Sequence, residues 1–354
     1  MQTALQIPVT KTAQSHLSSI DFNHLEFGKY VADHMFKAEW INKQWASPVI
    51  VPFAPIPLSP VALALHYGQT VFEGMKAYRT PEGKISIFRL EKHHDRFNRS
   101  LDRMSMPAIP FDLFKEGLLT LIKTDSNWVP EQEGCSLYIR PFVFASEARL
   151  GVKVADEYYF MIVTSPVGPY YAQPLKVKVE MNYVRSAEGG TGFAKCGGNY
   201  GGSFYPTAKA KEEGFDQVLW TDAKGHQFIE ESGTMNVFFV IEGTLVTPPL
   251  STSILDGVTR DSILQIAKDL GIPAEVKPVS IEHLKTLLQE GKLQEAFGAG
   301  TAAVVAPIRH ISIEDHLYEL PEITENALSL KFKKTLHEIR TGMVADKHGW
   351  NTWV

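Results

Sequence analysis

Apolar and polar residues alternate along several short segments of the chain, which is the pattern of a half-buried β-strand. Alternation and short apolar runs predict strands at Lys84–Leu90, Leu137–Ser146, Tyr158–Ser165, Leu175–Met181, Gln217–Thr221, Met235–Ile241 and Thr244–Thr247. Pro141 interrupts the second of these segments. Because proline has no N–H for the ladder, we expect that strand at a sheet edge or with a bulge.

Apolar residues at helical spacing predict helices between these strands. The helical segments are Lys92–Met104, Leu113–Lys123, Thr259–Leu270, Ile281–Gln289 and Leu330–Ile339. Gly271 directly follows the third segment, where glycine commonly ends a helix. Since helices and strands are mixed along the whole chain, the predicted fold class is α/β (mixed α+β).

A proline-rich segment divides the chain near residue 170. Pro166–Pro174 (PVGPYYAQP) contains three prolines and a glycine, which is typical of a linker. We predict a small N-terminal domain at 1–165, an interdomain loop at 166–175 and a larger domain at 176–354. The two tyrosines suit either an anchored surface loop or a lid over a site. The first 20 residues are interpreted as a loosely ordered arm.

Composition narrows the class of protein. The 354 residues are 44% hydrophobic and 21% charged, as in globular proteins, and the net charge of -5 disfavours nucleic acid as a partner. No apolar run reaches the ~18 residues that a membrane helix needs. Cys135 and Cys196 form neither a CxxC motif nor a metal cluster, so we expect free thiols, no metal and a cytoplasmic location.

Two segments of the second half combine a turn with groups that suit an anionic or cationic ligand. In Leu255–Gly271, Val258 and Thr259 open a helix whose first N–H groups would bind an anion, unless the helix is simply capped. In Ile229–Val240, Glu230 and Glu231 precede a Ser-Gly-Thr turn and a buried strand. Such a carboxylate is either solvated or pairs with a cation such as a ring nitrogen.

Two further segments carry candidate reactive residues. Lys195 lies among Gly197, Gly198, Gly201 and Gly202, which we expect to allow tight turns beside a ligand. A desolvated lysine there would be a nucleophile; the alternatives are a surface lysine or, less fittingly, a dinucleotide loop. Tyr138 and Arg140 share one strand face, which would bind a carboxylate or make a surface salt bridge.

Together these segments resemble the fold-type IV aminotransferases, and most closely the branched-chain amino acid aminotransferases. The matching segments are HYGQTVFEGMKAYR at 66–79, HHDRF at 93–97, YIRP at 138–141, KCGGNYGGS at 195–203, the residues Glu231, Asn236, Phe238, Thr247, Leu255, Gly257, Val258 and Arg260, and FGAGTAAVVAPI at 297–308. They extend from about residue 40 to the C-terminus. The resemblance implies a small N-terminal α/β domain and a larger, mixed barrel-like C-terminal domain.

The resemblance also implies pyridoxal 5'-phosphate as cofactor and assigns residues to it. Lys195 would form the Schiff base and move the substrate proton, Glu231 would pair with the pyridine nitrogen, and Tyr200 would bind the 3′ oxygen. The cofactor set is Arg96, Arg185, Lys195, Tyr200, Glu231, Thr234, Leu255, Gly257, Val258, Thr259 and Thr301. Arg96, Thr301 and the Val258 and Thr259 amides would hold the phosphate.

The implied substrate set is Tyr67, Phe72, Tyr138, Arg140, Tyr170, Thr301 and Ala302. The amides of Thr301 and Ala302 would bind the α-carboxylate, and Arg140 would bind the distal carboxylate of glutamate. The expected reaction is ping-pong transfer of the amino group of L-leucine, L-isoleucine or L-valine to 2-oxoglutarate by a homodimer. D-amino acid aminotransferase, aminodeoxychorismate lyase and a catalytically silent cofactor-binding protein remain the alternatives.

Overall fold

The computed structural model describes residues 5–171 and 173–354, so Met1–Ala4 of the predicted arm and Ala172 of the predicted interdomain loop lie outside it. The chain forms two compact units. Of the described residues, the first unit contains 5–170, 194–198 and 338–354, and the second contains 171, 173–193 and 199–337. Each predicted domain is one continuous stretch of the chain, whereas each of these units combines separate stretches. The predicted domain limits remain a prediction.

The elements of the described residues follow in chain order. The strands are β1 His34–Ile41, β2 Gln44–Pro52, β3 Thr70–Phe72, β4 Met75–Arg79, β5 Ile85–Phe88, β6 Ser136–Ala145, β7 Tyr158–Val167, β8 Leu175–Val179, β9 Gln217–Thr221, β10 Phe228–Ser232, β11 Met235–Ile241, β12 Thr244–Thr247, β13 Ala274–Val276, β14 Val279–Ser280, β15 Leu293–Gly300, β16 Val304–Ile313, β17 His316–Glu319 and β18 Asn351–Trp353. The helices are α1 Leu63–Tyr67, α2 Leu90–Arg103, α3 Phe111–Thr124, α4 Gly198–Glu212, α5 Val258–Asp269, α6 Ile281–Gln289 and α7 Leu328–Arg340.

The first unit is built on an antiparallel sheet with the order β18-β5-β4-β6-β7-β1-β2, in which β3 also pairs with β6. Alternate sheet residues such as Ala77, Ile87 and Ile139 join the apolar sides of α2 and α3 in one core. Phe36, Phe97, Phe114 and Phe160 make ring contacts within it. Burial of each such ring contributes about 1.5–3 kcal/mol, so this core fixes α2 against the sheet.

Pro141 lies in the interior of the sheet, and β6 pairs with β7 there without a shift in register, so the prediction of an edge strand or a bulge was wrong. The Pro141 carbonyl accepts a hydrogen bond from the Glu73 N–H (2.7 Å), and Glu73 lies in the gap between β3 and β4. In a strand, the nitrogen and carbonyl of one residue point to the same neighbour. The nitrogen of Pro141 therefore faces the gap, where no ladder bond is lost.

The described part of the N-terminal arm is docked on the first unit, which corrects the prediction of a loosely ordered arm. Residues 8–10 pair with Ile50 of β2, and the Thr12 N–H donates to Nε2 of His34 (2.9 Å). Asp33 accepts hydrogen bonds from Ser15 Oγ and the His16 N–H. These polar contacts, which the arm's composition did not reveal, hold it in place.

The second unit contains a closed ring of strands in the order β8-β9-β10-β11-β15-β16, and β16 pairs with β8 to complete it. The pairs β16–β8 and β8–β9 are parallel and the others antiparallel. Alternate residues, including Val177, Val237 and Phe239, form a buried core with α6. This ring is the barrel-like sheet that the resemblance implied, and the fold class is mixed α/β as predicted.

The linker tyrosines belong to different units. Tyr170 lies in the first unit, where its ring packs edge-on against Phe27 at 4.9 Å between centroids. The Tyr171 hydroxyl belongs to the second unit and accepts a hydrogen bond from Gln217 Nε2 (3.2 Å). No helix in residues 5–171 and 173–354 has the length and apolarity for crossing a membrane.

Candidate active site

Lys195 lies on a short segment that belongs to the first unit, although the chain on both sides of it belongs to the second. Cys196 forms a β-bridge with Val71, and the Gly197 N–H donates to the Thr70 carbonyl (3.1 Å). Cys196 is a buried free thiol within the core, as expected. The segment thus lies alongside β3, with Lys195 Nζ 4.9 Å from the centre of the Phe72 ring.

Arg96 of α2 is buried and bound to Glu73, a residue that sequence reasoning missed. Its Nε and Nη2 lie 2.6 and 2.9 Å from the two carboxylate oxygens, and Nδ1 of His93 lies 2.8 Å from Oε2. Burial would raise the pKa of Glu73, but the charge of Arg96 and the hydrogen bonds from Arg96 and His93 outweigh burial and hold that pKa below its usual range. Burial also lowers the pKa of His93, which favours its neutral form.

Three residues of the predicted substrate set meet on one face of the first sheet. Arg140 Nη2 donates to the Tyr138 hydroxyl (3.0 Å), and its guanidinium lies 4.5 Å from the centre of the Phe72 ring. The rings give the side chain of an apolar substrate a contact surface, whereas the guanidinium suits a carboxylate. This face therefore presents both aromatic rings and a cation.

Phe27, which precedes β1 in the chain, packs against that face. Its ring packs edge-on against Tyr138 (5.0 Å) as well as Tyr170, so three aromatic rings are clustered. Sequence reasoning missed Phe27 because no periodic pattern surrounds it. Tyr67, by contrast, is half-exposed at the end of α1, where its hydroxyl donates to the Leu150 carbonyl.

In the second unit, Glu231 is buried on β10 beside two partners. Its Oε2 lies 2.5 Å from Arg185 Nη2, and its Oε1 accepts a hydrogen bond from Asn236 Nδ2 (3.1 Å). Arg185, predicted to lie near the phosphate, therefore pairs with the carboxylate predicted to bind the pyridine nitrogen. Its Nε is buried and makes no hydrogen bond. The neighbouring Glu230 is neither solvated nor ion-paired: it is partly buried, and burial raises its pKa.

Asn236 links the Glu231 carboxylate to the segment that leads into α5. Asn236 Nδ2 also donates to the Leu255 carbonyl (2.9 Å), and any Cβ on Gly257 would lie 1.8 Å from Asn236 Oδ1. Val258 and Thr259 are buried, yet no side chain caps this helix start. A buried and uncapped helix start suits an anion, because its N–H groups and dipole both favour negative charge.

The remaining predicted residues lie at three other places in the second unit. Tyr200 is half-buried in the first turn of α4, and Thr234 is exposed in the turn between β10 and β11. Thr301 and Ala302 form the turn between β15 and β16. That turn closes at Val304, whose φ of 64° is strained for a β-branched residue. Strain of this kind is concentrated at functional sites.

The glycine-rich segment differs from its prediction. Gly198, Gly201 and Gly202 lie within α4 and have no positive φ, so they form a helix and not tight turns. Only Gly197 makes a close approach, since a Cβ there would lie 2.7 Å from Thr70 Cγ2. The observed geometry brings Arg96, Lys195, Phe72, Tyr138 and Arg140 together in the first unit. It brings Arg185, Glu231, Leu255 and Gly257 together in the second.

Comparison with known families and relatives places this geometry in context. Residues 70–311 match the family model described as amino-transferase class IV. The chain is 44% identical over 339 residues to branched-chain-amino-acid transaminase 1 of Bacillus subtilis (strain 168), which covers 94% of this chain and 95% of the relative.

Solved structures agree. The branched-chain amino acid aminotransferase of Escherichia coli superposes with a TM-score of 0.73 at 28% identity, covering 89% of this chain and 98% of that one. The branched-chain aminotransferase of the thermophilic archaeon Thermoproteus uzoniensis, solved with norvaline, gives a TM-score of 0.74 at 26% identity, covering 90% and 99%.

Proposed function

The chain belongs to the class IV aminotransferase family, and from that membership we propose that it is a branched-chain amino acid aminotransferase dependent on pyridoxal 5'-phosphate. It exchanges the amino group between L-leucine, L-isoleucine or L-valine and 2-oxoglutarate. One observation carries the substrate class: a relative named for branched-chain amino acids is 44% identical to nearly the whole of this chain.

The residues present fit the cofactor. A phosphate suits the buried start of α5, which lacks a side-chain cap, and the cationic Arg96 and Arg185. We assign phosphate binding to Arg96, Thr301 and the amides of Val258 and Thr259, with Arg185 nearby. Leu255, Gly257 and Thr234 complete the proposed lining.

Pyridoxal phosphate, when bound, supplies an electron sink for the carbanion left after proton loss. Lys195 is the residue proposed to hold the cofactor covalently and to carry the proton at Nζ. The Glu231 carboxylate, which lies beside Arg185, is proposed to hold a proton on the ring nitrogen. Tyr200 is proposed to donate to the 3′ oxygen.

Substrate recognition is assigned to the aromatic face. Phe72, Tyr138 and Tyr170 of this face, together with Tyr67 at the end of α1, are proposed to take the aliphatic side chain. The Thr301 and Ala302 amides are proposed to take the α-carboxylate. The Arg140 guanidinium above Phe72 supports the proposal that one face also accepts the distal carboxylate of glutamate. An apolar pocket discriminates weakly, at about 1–3 kcal/mol per methylene, so all three branched amino acids should react.

We propose that the enzyme is a homodimer. In the first unit Leu150, Val152 and Val154 are exposed, Val152 to 81%. Exposed apolar patches often mark protein interfaces, and a second copy would cover this one. Analytical ultracentrifugation should give twice the chain mass, and a monomer would exclude the proposal. The two free thiols fit a reducing compartment, so we also propose the cytoplasm as the location.

Absorbance spectroscopy tests the function. With L-leucine alone, the visible band of lysine-bound cofactor should fall as the pyridoxamine form appears, and 2-oxoglutarate should restore it. Lys195→Ala should lack the visible band, whereas Lys209→Ala, an exposed change on α4, should keep it. A band that ignores leucine but responds to a D-amino acid would refute the substrate class. Absence of any cofactor band would refute the cofactor assignment.

A further inference from the structure

The peptide groups on both sides of the Lys195 Cα are fixed by hydrogen bonds within the first unit. The Lys195 N–H donates to Ser100 Oγ of α2 (2.9 Å), and its carbonyl accepts from the Phe72 N–H (3.0 Å). Ser100 is 1% exposed, so water does not compete for its hydroxyl. The main chain that carries the amine therefore depends on two elements, β3 and α2.

The orientation of the Ser100 hydroxyl is defined by a second bond. It donates to the Arg96 carbonyl (3.0 Å), one helical turn earlier. A serine hydroxyl has one proton, so with that proton committed to the helix it meets the Lys195 N–H only as an acceptor. One side chain thus links the main chain of Lys195 to the main chain of Arg96.

Arg96 is itself held in place at its other end. Its guanidinium binds both oxygens of Glu73, which has no exposed surface. A two-pronged arginine–carboxylate contact fixes the plane of the guanidinium as well as its position. Helix α2 therefore sets where Arg96 presents its charge and where the Lys195 side chain begins.

We propose that Ser100 is a positioning residue that sets the placement of Lys195 relative to Arg96. The proposal rests on the proposed function, in which Lys195 bonds the cofactor and Arg96 binds its phosphate. The aldehyde and phosphate of pyridoxal phosphate are attached to one rigid ring, so their two anchors need a matched separation. Preorganised anchors of this kind are supported by residues that do not touch the ligand themselves.

Pyridoxamine phosphate offers a way to separate positioning from general damage. It has the same ring and phosphate but no aldehyde, so it cannot form a Schiff base with a lysine. Both ligands should be titrated into apoenzyme prepared from the wild type and from Ser100→Ala. Loss of the acceptor for the Lys195 N–H should weaken pyridoxal phosphate about tenfold and leave pyridoxamine phosphate within about twofold.

A matched control comes from the neighbouring helix. The Thr124 hydroxyl of α3 also donates to a carbonyl one turn earlier, at Thr120 (2.8 Å). Thr124→Val removes that hydroxyl and should leave both affinities unchanged. If Ser100→Ala does not fold, Ser100→Cys is similar in shape but has a weakly accepting thiol, so it should show the same selective loss.

The two titrations distinguish the positioning role of Ser100 from the proposed function. Equal losses for both ligands, or no loss for either, would overturn the positioning role of Ser100 while the wild type still responds to leucine. Selective loss of pyridoxal phosphate would establish it. A wild type that binds neither ligand would instead refute the proposed function, and this inference with it.

Discussion

Glu73, which sequence reasoning did not select, gathers hydrogen bonds from three residues. The Gly74 N–H, His93 Nδ1 and two nitrogens of Arg96 surround its carboxylate, which has no exposed surface. Replacing one member of a buried ion pair leaves an uncompensated charge and costs about 3–5 kcal/mol. The identity of residue 73 therefore controls both stability and the placement of Arg96.

Glu73→Gln keeps the shape of the side chain but turns one acceptor into an N–H₂ donor facing other donors. We expect it to lower the free energy of unfolding by about 3–5 kcal/mol and to weaken cofactor binding. Urea unfolding of the apoenzyme and cofactor titration measure the two effects. Glu131→Gln is the control, because Glu131 is 81% exposed and lies 3.8 Å from Arg79. Equal effects of the two substitutions would contradict the prediction.

Phe27 makes a second prediction at the residue scale. Phe27→Ala removes the ring that packs on Tyr138 and Tyr170. Each of these aromatic pairs contributes about 0.5–1.5 kcal/mol to holding Tyr138 and Tyr170 in place. Because both tyrosines belong to the proposed substrate set, we expect kcat/KM for L-leucine to fall about tenfold. Steady-state kinetics measure this, with Phe53→Ala as the control because Phe53 is 45% exposed. An unchanged kcat/KM would show that Phe27 does not border the substrate.

At the scale of elements, periodicity located five of the seven helices but only seven of the eighteen strands of the described residues. Gln217–Thr221, Met235–Ile241 and Ile281–Gln289 have the predicted bounds, and the helix predicted at Thr259–Leu270 occupies Val258–Asp269. Strands of two or three residues, such as β3, β13 and β14, cannot show a period, but the long strands β1, β2, β15 and β16 were missed as well. The docked arm was missed because its contacts are polar and distant in sequence.

The glycines of α4 show where local propensity misled the prediction. Glycine disfavours helices by about 1 kcal/mol relative to alanine. Even so, Gly198, Gly201 and Gly202 all lie in the first turns of this helix. A Cβ on Gly201 would meet no atom within 4 Å, and its φ is not positive. Here the surrounding structure, not the residues themselves, imposes the helix.

Gly201→Ala should therefore stabilise the chain. Alanine restricts the unfolded chain and favours the helix, which should raise the free energy of unfolding by about 0.5–1 kcal/mol. Gly214→Ala is the contrasting change, because its φ of +84° penalises any side chain. Urea unfolding should move in opposite directions for the two variants. Destabilisation by Gly201→Ala would mean that Gly201 serves a contact with a ligand or a second copy.

At the scale of the whole molecule, the residues that the sequence proposes for the site are those carried by compact motifs. Lys195, Glu231 and Tyr200 stand in short segments of the sequence. Their supporting partners could not be predicted, since Glu73 and Arg96 are 23 positions apart and Arg185 and Glu231 are 46 apart (231 minus 185). Which residues pair over such distances in sequence depends on the fold, and local periodicity does not predict it.

Lys76 links the whole molecule's stability to pH. It is 5% exposed on β4, and burial, with repulsion from Arg340, lowers its pKa to about 7 from 10.5. Below about pH 7 the folded and unfolded chains both carry this proton. Between there and 10.5 only the unfolded chain holds it, so deprotonation favours the folded state as pH rises. The contribution of this group grows by at most about 1.4 kcal/mol per pH unit.

Lys76→Met removes this titration and keeps an apolar chain of similar length. The variant should be more stable than the wild type near pH 6, and its advantage should shrink steadily as pH rises from about 7 to about 10. Urea unfolding at a series of pH values measures the difference between the two proteins, in which all other titrating groups cancel. Lys123→Met, at an exposed lysine of α3, should differ from wild type by the same small amount throughout. A pH-independent advantage for Lys76→Met would mean that Lys76 stays protonated in the fold and that a buried partner compensates its charge.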